Sequence, residues 1–355
     1  MRAGRRPGRD ASAVRRRGAP ASAHEVAGPL LKRTAKAATL SAMGGTKPYV
    51  VVIGGANMDV KARSTAHAVS RTSNPGTAVL GAGGVGRNIA ENLARLGTPT
   101  HLVTAVGTDP LGDQLVASTE AAGVGVDHVA RVGAPTGSYT AVLDHDGELL
   151  VAIASMAAID ELGAPEVENA AGLIAGASLL VLDGNLGTAA LEAARRVAGD
   201  VPLVLDPVSV PKAERVRGLL DGSHPWHLVT PDHLELAALT GRPATYERQV
   251  VDACRHLHDR GVTWVWVREG ERGSLLSGPD GPTHLPALPT RVVDVTGAGD
   301  AMLAAWCHAV LTGRTPLDAA RLGHAAAAVT IASEYTVRPD LTLALLERAL
   351  NGGTA

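Results

Sequence analysis

Leu-Leu-Val-Leu-Asp at residues 179–183, a helical pattern over 188–198, and Leu-Val-Leu-Asp at 203–206 form the stretch that decides the fold. Two short apolar runs separated by one helix read as parallel strands joined by a crossover helix. Each run closes on an aspartate. In sheets of this kind ligands collect beyond the carboxyl ends of the strands, so Asp183 and Asp206 mark the edge where chemistry belongs.

Working outward, the same alternation predicts strands at 49–53, 101–106, 227–229 and 264–267, with helices at 86–96, 111–122, 232–239 and 247–259. The fold class is therefore α/β, a doubly wound and mostly parallel sheet flanked by helices, over residues 47–350. Two segments break the pattern. Residues 56–82 carry no convincing helix, and 136–153 read as a hairpin around the Asp-His-Asp-Gly turn at 144–147. Together they predict a small β lid over the strand ends, of the kind that excludes water from a reaction.

Composition narrows the function classes. The chain has 355 residues and a formal net charge of -2. Residues 1–47 hold eight Arg and three Lys against Asp10 and Glu25, which is +9, and leave -11 for the remainder. An acidic body lacks the positive surface that a nucleic-acid backbone requires, so no nucleic-acid partner is expected. No apolar run reaches the ~18 to 20 residues of a membrane helix. Cys254 and Cys307 cannot build a disulfide framework, which fits a cytoplasmic protein. Phenylalanine is absent, so the core is expected to be filled by Val, Leu, Ile and Ala. Residues 1–46, basic and without apolar periodicity, read as a disordered extension, with organelle targeting as the other reading.

The strongest motif is Asp-Val-Thr-Gly-Ala-Gly-Asp-Ala at 294–301. It follows the apolar run 292–295 and precedes a helical pattern, so it reads as strand, glycine turn and helix start. The amides of Gly297, Ala298 and Gly299 point, with the helix dipole, at whatever anion lies there. A carboxylate beside such a nest repels that anion unless it has a task. The natural task for Asp300 is to accept the proton of an attacking hydroxyl. The bland alternative is an aspartate capping a helix.

At this point the sequence resembles the ribokinase-like (PfkB-type) carbohydrate and nucleoside kinases, whose signature is Gly-Ala-Gly-Asp after a strand. In that family the Asp is the catalytic base and the preceding amides form an anion hole. A second block, 81–97, is similar to the family's sugar site, with Gly83, Gly84 and Asn88 lining it. A third, Gly-Ala-Asn-Met-Asp at 55–59, brings Asn57 and Asp59, the latter resembling the residue that grips ribose hydroxyls; Ser138 on the lid joins them. Within the family the blocks at 56–59, 73–76, 83–88, 206–209, 295–302 and 334–336 resemble most the branch acting on the nucleoside pseudouridine. Ser73 and Asn74 are the discriminating pair, able to hydrogen-bond a uracil edge, although Ser-Asn-Pro-Gly is also an ordinary turn.

The resemblance further implies ATP and Mg2+ as cofactors. Asp232 and Glu235 would hold magnesium through water, while Arg268, Gly270, Gly273, Thr296 and His324 would flank the nucleotide. Asp294 with Thr296 resembles a loop that binds a monovalent cation such as K+ in some relatives. The sequence does not fix the oligomeric state; lid sheets of this sort often pair across a dimer, so a homodimer through the lid is the candidate assembly. The chain departs from the pattern at Asp232, where the family has Asn, at Thr230, where it has Lys, and at Ser155, where bacterial members of the pseudouridine branch have Asp.

Rivals remain open. Gly81, Gly83 and Gly86 satisfy Gly-x-Gly-x-x-Gly, but the motif lies thirty residues past the first strand, and 101–106 ends without the acid a dinucleotide site needs. No Walker-type loop is present, so phosphate would be held by amides and magnesium. Cys254, His256 and His258 at i, i+2, i+4 do not converge on a helix and read as a solvated face. Three function classes follow: phosphorylation of the 5'-hydroxyl of pseudouridine by ATP, the same reaction on another nucleoside or sugar, and a non-catalytic binding module.

Overall fold

The computed structural model describes residues 47–352. The expected basic extension, 1–46, lies outside the described residues. Val50–Ile53 (β1) is buried on both faces: Val51 and Ile53 enter one hydrophobic cluster, Val50 and Val52 the other. The period-two alternation of a strand is thus spent on two cores, and every residue of the strand is apolar.

From β1 the chain crosses into the lid with Asn57–Ser64 (β2) and Gly76–Gly83 (β3), and returns through helix α1, Val85–Arg95. Thr100–Gly107 (β4), Pro110–Ala121 (α2) and Gly125–Val132 (β5) follow, then the lid hairpin Ser138–Leu143 (β6) and Leu149–Ser155 (β7). Short helices Ala157–Asp160 (α3), Ala164–Asn169 (α4) and Ala171–Gly176 (α5) lead to Leu179–Asp183 (β8). Next come Thr188–Ala198 (α6), Leu203–Asp206 (β9), Val210–Val216 (α7), Trp226–Val229 (β10), His233–Thr240 (α8) and Glu247–His258 (α9). Val262–Arg268 (β11), Ser274–Gly278 (β12), Gly281–Leu285 (β13), Ala298–Leu311 (α10), Pro316–Ile331 (α11) and Leu343–Leu350 (α12) complete the chain.

The large sheet has the order β13-β12-β11-β10-β9-β8-β1-β4-β5. Pairing is parallel from β11 through β5 and antiparallel at β11–β12 and β12–β13. Strand order reverses between β1 and β8, and the crevice beyond their carboxyl ends is where a doubly wound sheet takes ligands. The lid is a second sheet, β3-β2-β6-β7.

Three expectations are corrected. The run 292–295 is not a strand; Val292, Val293 and Val295 are exposed, and the Val293 and Asp294 amides donate to the carbonyl of Ile331 at the end of α11. The core is not filled by aliphatic residues alone, because Trp226, Trp266 and Trp306 are fully buried and take the volume phenylalanine would occupy. Nor are Cys254, His256 and His258 one solvated face. Cys254 is core, and His258 bridges the Val262 carbonyl and Ser277 Oγ, fastening α9 to β11 and β12. Strands β5, β12 and β13 have no counterpart among the expected elements.

Candidate active site

Asp183 closes β8 at the reversal of strand order, and its Oδ2 accepts the amides of Gly55 and Gly86, each at 2.8 Å. One carboxylate therefore draws the turn after β1 and the start of α1 together. That fixes where α1 begins, and with it the direction of Asn88. Burial raises the Asp183 pKa above the usual carboxylate range, and the amide of Gly55 opposes it.

Asn88 Nδ2 donates to Asp300 Oδ2 at 2.8 Å. Asp300 sits in the first turn of α10, where the helix dipole favours an anion. It is 8% exposed, and burial together with the negative Asp206 pushes its pKa up to about 7, against the pull of Asn88 and Arg268. A carboxylate with that pKa is half ionised near neutral pH, the range in which a general base works best. Gly297, the residue before the helix, has φ 80°, and a Cβ there would lie 2.1 Å from the Thr336 carbonyl oxygen. Only glycine fits the position on both counts. The Gly297 and Gly299 amides have no acceptor among the described residues, whereas the Ala298 amide donates to the Val295 carbonyl at 3.3 Å. The expected three-amide nest is therefore two free amides and one engaged in a turn.

On the other side of the crevice, Asn57 Nδ2 donates to Asp59 Oδ1 at 2.6 Å. Burial raises the Asp59 pKa, and Asn57, Lys61 and Arg87 pull it back. Gly83 pairs with Asn57 in the lid ladder, and any side chain on it would strike the Asp59 carboxylate at 2.4 Å. Asp59 and Lys61, with Arg87 and Glu91 of α1 and residues 334–337, line a cleft of about 330 Å³. Gly84 forms the turn into α1 at φ 97°. Ser138 opens β6 beside Met58 and opposite Ser155.

Arg268, at the end of β11, ties Asp206 (3.1 Å) to Glu235 (3.0 Å). Those two carboxylates outweigh the burial that would lower its pKa and raise it instead. Asp232 is the N-cap of α8: its Oδ1 accepts the Glu235 amide at 2.7 Å, and Glu235 Oε2 accepts the Asp232 amide at 2.8 Å. This reciprocal box is equally open to asparagine at that position, so the departure at Asp232 leaves the helix start intact. Gly270 and Gly273 turn the chain from β11 into β12 with φ 60° and 100°.

Other expected residues lie elsewhere or are otherwise engaged. The loop 65–75 carrying Ser73 and Asn74 hangs from the far end of β2, five residues beyond Asp59, about 17 Å along a strand. Asn74 spends its amide on Val69 and Thr72 of its own loop. Within this chain the pair does not converge with Asp59 and Asp300. His324 sits in α11 but points inward: its Nε2 meets Ser274 Oγ at 2.7 Å in a buried network with Trp266, and burial lowers its pKa to about 4. Asp294 Oδ2 meets the Lys61 ammonium at 2.6 Å, and its Oδ1 accepts both the amide and the hydroxyl of Thr296. Both oxygens are engaged, and the Lys61 ammonium beside Oδ2 repels a second cation, so Asp294 fits K+ only if Lys61 moves away. Burial would raise the Asp294 pKa, but Lys61 and Thr296 outweigh it and lower it.

Sequence reasoning missed Lys61. The signal was there: a residue two positions past Asp59 on a strand lies on the same face.

A carboxylate at a helix N-terminus, at the reversal point of a doubly wound sheet and beside a four-stranded lid, defines the ribokinase-like class of α/β proteins. Residues 47–342 match the pfkB family carbohydrate kinase, and the chain belongs to that family. It is 36% identical to the pseudouridine kinase of Escherichia coli K12 over 300 residues, 84% of this chain and 95% of that one. It is 33% identical to the uncharacterized sugar kinase YeiI of the same organism over 296 residues, 83% and 81% of the two chains. The structure of Arabidopsis thaliana ribokinase complexed with ribose and ATP matches with a TM-score of 0.73 and 25% identity, covering 86% of this chain and 99% of that one. Family membership makes the chain a phosphotransferase with an alcohol acceptor, a sugar or nucleoside kinase. Among the described residues no helix is long and apolar enough to cross a membrane.

Proposed function

We propose that the chain transfers the terminal phosphate of ATP, with Mg2+, to the 5'-hydroxyl of pseudouridine. The observation that carries the chemistry is Asp300, held by Asn88 at the start of α10 with a pKa of about 7. The similarity to an Escherichia coli pseudouridine kinase over most of both chains supports the substrate.

In this reading Asp59 and Asn88 orient the ribose hydroxyls, and Asp300 takes the proton from the 5'-oxygen as it attacks phosphorus. The Gly297 and Gly299 amides, with the positive end of α10, face the charge that builds on the transferred phosphoryl group. Residues fit the cofactor: two amides lack acceptors, and Asp232 keeps one carboxylate oxygen outside its cap for a water of the metal. Bound magnesium supplies neutralisation of the polyphosphate charge. Glu235 spends only Oε2, on the Asp232 amide and on Arg268, so its Oε1 is likewise open to such a water, while Asp206 holds the guanidinium in place.

The distance of Ser73 and Asn74 from Asp59 favours a second reading, a kinase of another nucleoside or free sugar, because nothing within this chain reads the base through them. The lid also carries Val79, Leu80, Leu149, Leu150, Val151 and Ile153 exposed, a surface that supports pairing with a second copy. Coupled ADP release with a panel of nucleosides and sugars tests both readings. Turnover of ribose or adenosine with none on pseudouridine would remove the first. Light scattering of the purified chain tests the dimer.

A further inference from the structure

At the tip of the lid, far from Asp300, two histidines from different loops aim the same ring nitrogen at one carboxylate. His67 Nδ1 lies 2.8 Å from Asp144 Oδ2, and His145 Nδ1 lies 3.2 Å from Asp144 Oδ1. The three ligand atoms all lie within 4.8 Å of one another. The rings stand edge to face with centroids 5.8 Å apart. We propose that His67, Asp144 and His145 form a zinc site that clamps loop 65–75 to the β6–β7 turn.

The arrangement has the parts such a site needs. Asp144 Oδ1 accepts Ser64 Oγ (3.1 Å), the Ala68 amide (2.9 Å) and the His145 amide (2.8 Å). These donors fix the carboxylate, and Oδ2, which meets only the His67 ring, keeps lone-pair capacity for a metal. Hydrogen-bonded support of this kind orients metal ligands. Exposure is divided in the same sense. The Asp144 side chain is 4% exposed, while His67 is 84% and His145 48% exposed, so the anchor is rigid and the mouth is open to an ion and its waters.

Two imidazole nitrogens and one carboxylate oxygen form a borderline set that suits Zn2+ and does not suit the oxygen-seeking Mg2+ or Ca2+. Tetrahedral bonds of about 2.0 to 2.1 Å put ligand atoms about 3.3 Å apart, so the His67 nitrogen, 2.8 Å from Oδ2, draws back slightly while the wider pairs, all within 4.8 Å, close around an ion. Each ring that carries its hydrogen on Nδ1 moves it to Nε2 on binding, freeing the lone pair. The fourth position belongs to water. Because the loop so held carries Ser73 and Asn74, the metal would limit the freedom of the lid's outer edge.

The test is zinc titration by calorimetry of the full chain without a histidine tag, beside His67→Gln and His145→Gln. Both side chains are exposed enough that neither change threatens folding. One equivalent of zinc is expected, with affinity at least ~10-fold weaker in each variant. No binding at zinc concentrations up to ~1 mM, a free energy of only about 4 kcal/mol, would overturn the site. So would one equivalent bound with the same affinity by all three proteins, because the metal would then lie elsewhere. Magnesium titrated in place of zinc is expected to show no difference among the three proteins; a loss with either variant would overturn the assignment to zinc.

Discussion

Asn88 on α1 and Asp300 on α10, 212 positions apart in the chain, meet in a 2.8 Å hydrogen bond. The bond settles which way the carboxylate faces: one oxygen is held by an amide that cannot take a proton, and the other remains for chemistry. Asp300→Asn keeps the size and polarity of the side chain but cannot accept a proton from an alcohol. It is expected to retain ATP binding and to lower kcat by ~10² or more. Near-normal kcat, measured by coupled ADP release, would remove the base from the mechanism.

The same carboxylate sets a pH dependence. Its pKa of about 7 means the ionised base is lost as pH falls, so kcat/KM should drop on an acidic limb centred near 7. Stability runs the other way. A pKa raised above the unfolded value of 3.8 contributes stability fully present below that value and lost as pH rises through about 7. Asn88→Ala removes a bond that lowers the pKa, so the limb should move to higher pH. A rate profile flat from pH 6 to 8 in the parent protein would argue against Asp300 as the titrating group.

How far the sequence alone reached depends on range. β8, α6 and β9 were legible because apolar runs and helix period are local, and Asp183 and Asp206 stood out as acids closing such runs. The lid was legible from the failure of that pattern at 56–82 and from a turn motif at 144–147. The Asn88–Asp300 bond and the Arg268 bridge were not, because they join segments far apart in sequence. Val292 to Val295 misled for a related reason: three valines around Asp294 have strand propensity, but they join neither sheet and lie against the end of α11 instead.

Lys61 and Asp294 connect the lid to the segment leading into the Gly297 turn. Both are partly exposed, at 37% and 28%, so the pair is worth no more than about 1 kcal/mol and Lys61→Ala should barely move Tm. Its effect should appear in turnover. β2 stays in the lid ladder between β3 and β6, but the lysine's loss removes its tie to the 294–297 segment, and kcat/KM for the acceptor should fall up to ~10-fold, the cost of slight misplacement of a positioned group. Equal kinetics for the variant and the parent at low salt would show that the pair holds nothing the reaction uses.

Asp232→Asn separates the structural from the electrostatic use of this position. Asn and Asp are near-equal N-caps, so Tm should change by little, and the Glu235 half of the box survives unaltered. What changes is one negative charge close to where a nucleotide polyphosphate would lie. Removing it should lower KM for ATP severalfold through reduced repulsion, with kcat kept within a few fold because the asparagine oxygen can still accept from a water of the metal. A collapse of kcat would instead make the Asp232 carboxylate a magnesium ligand. ATP turnover appearing in the variant where the parent has none would show that the native chain is crippled at this residue. Steady-state kinetics at fixed free Mg2+ distinguish the three outcomes.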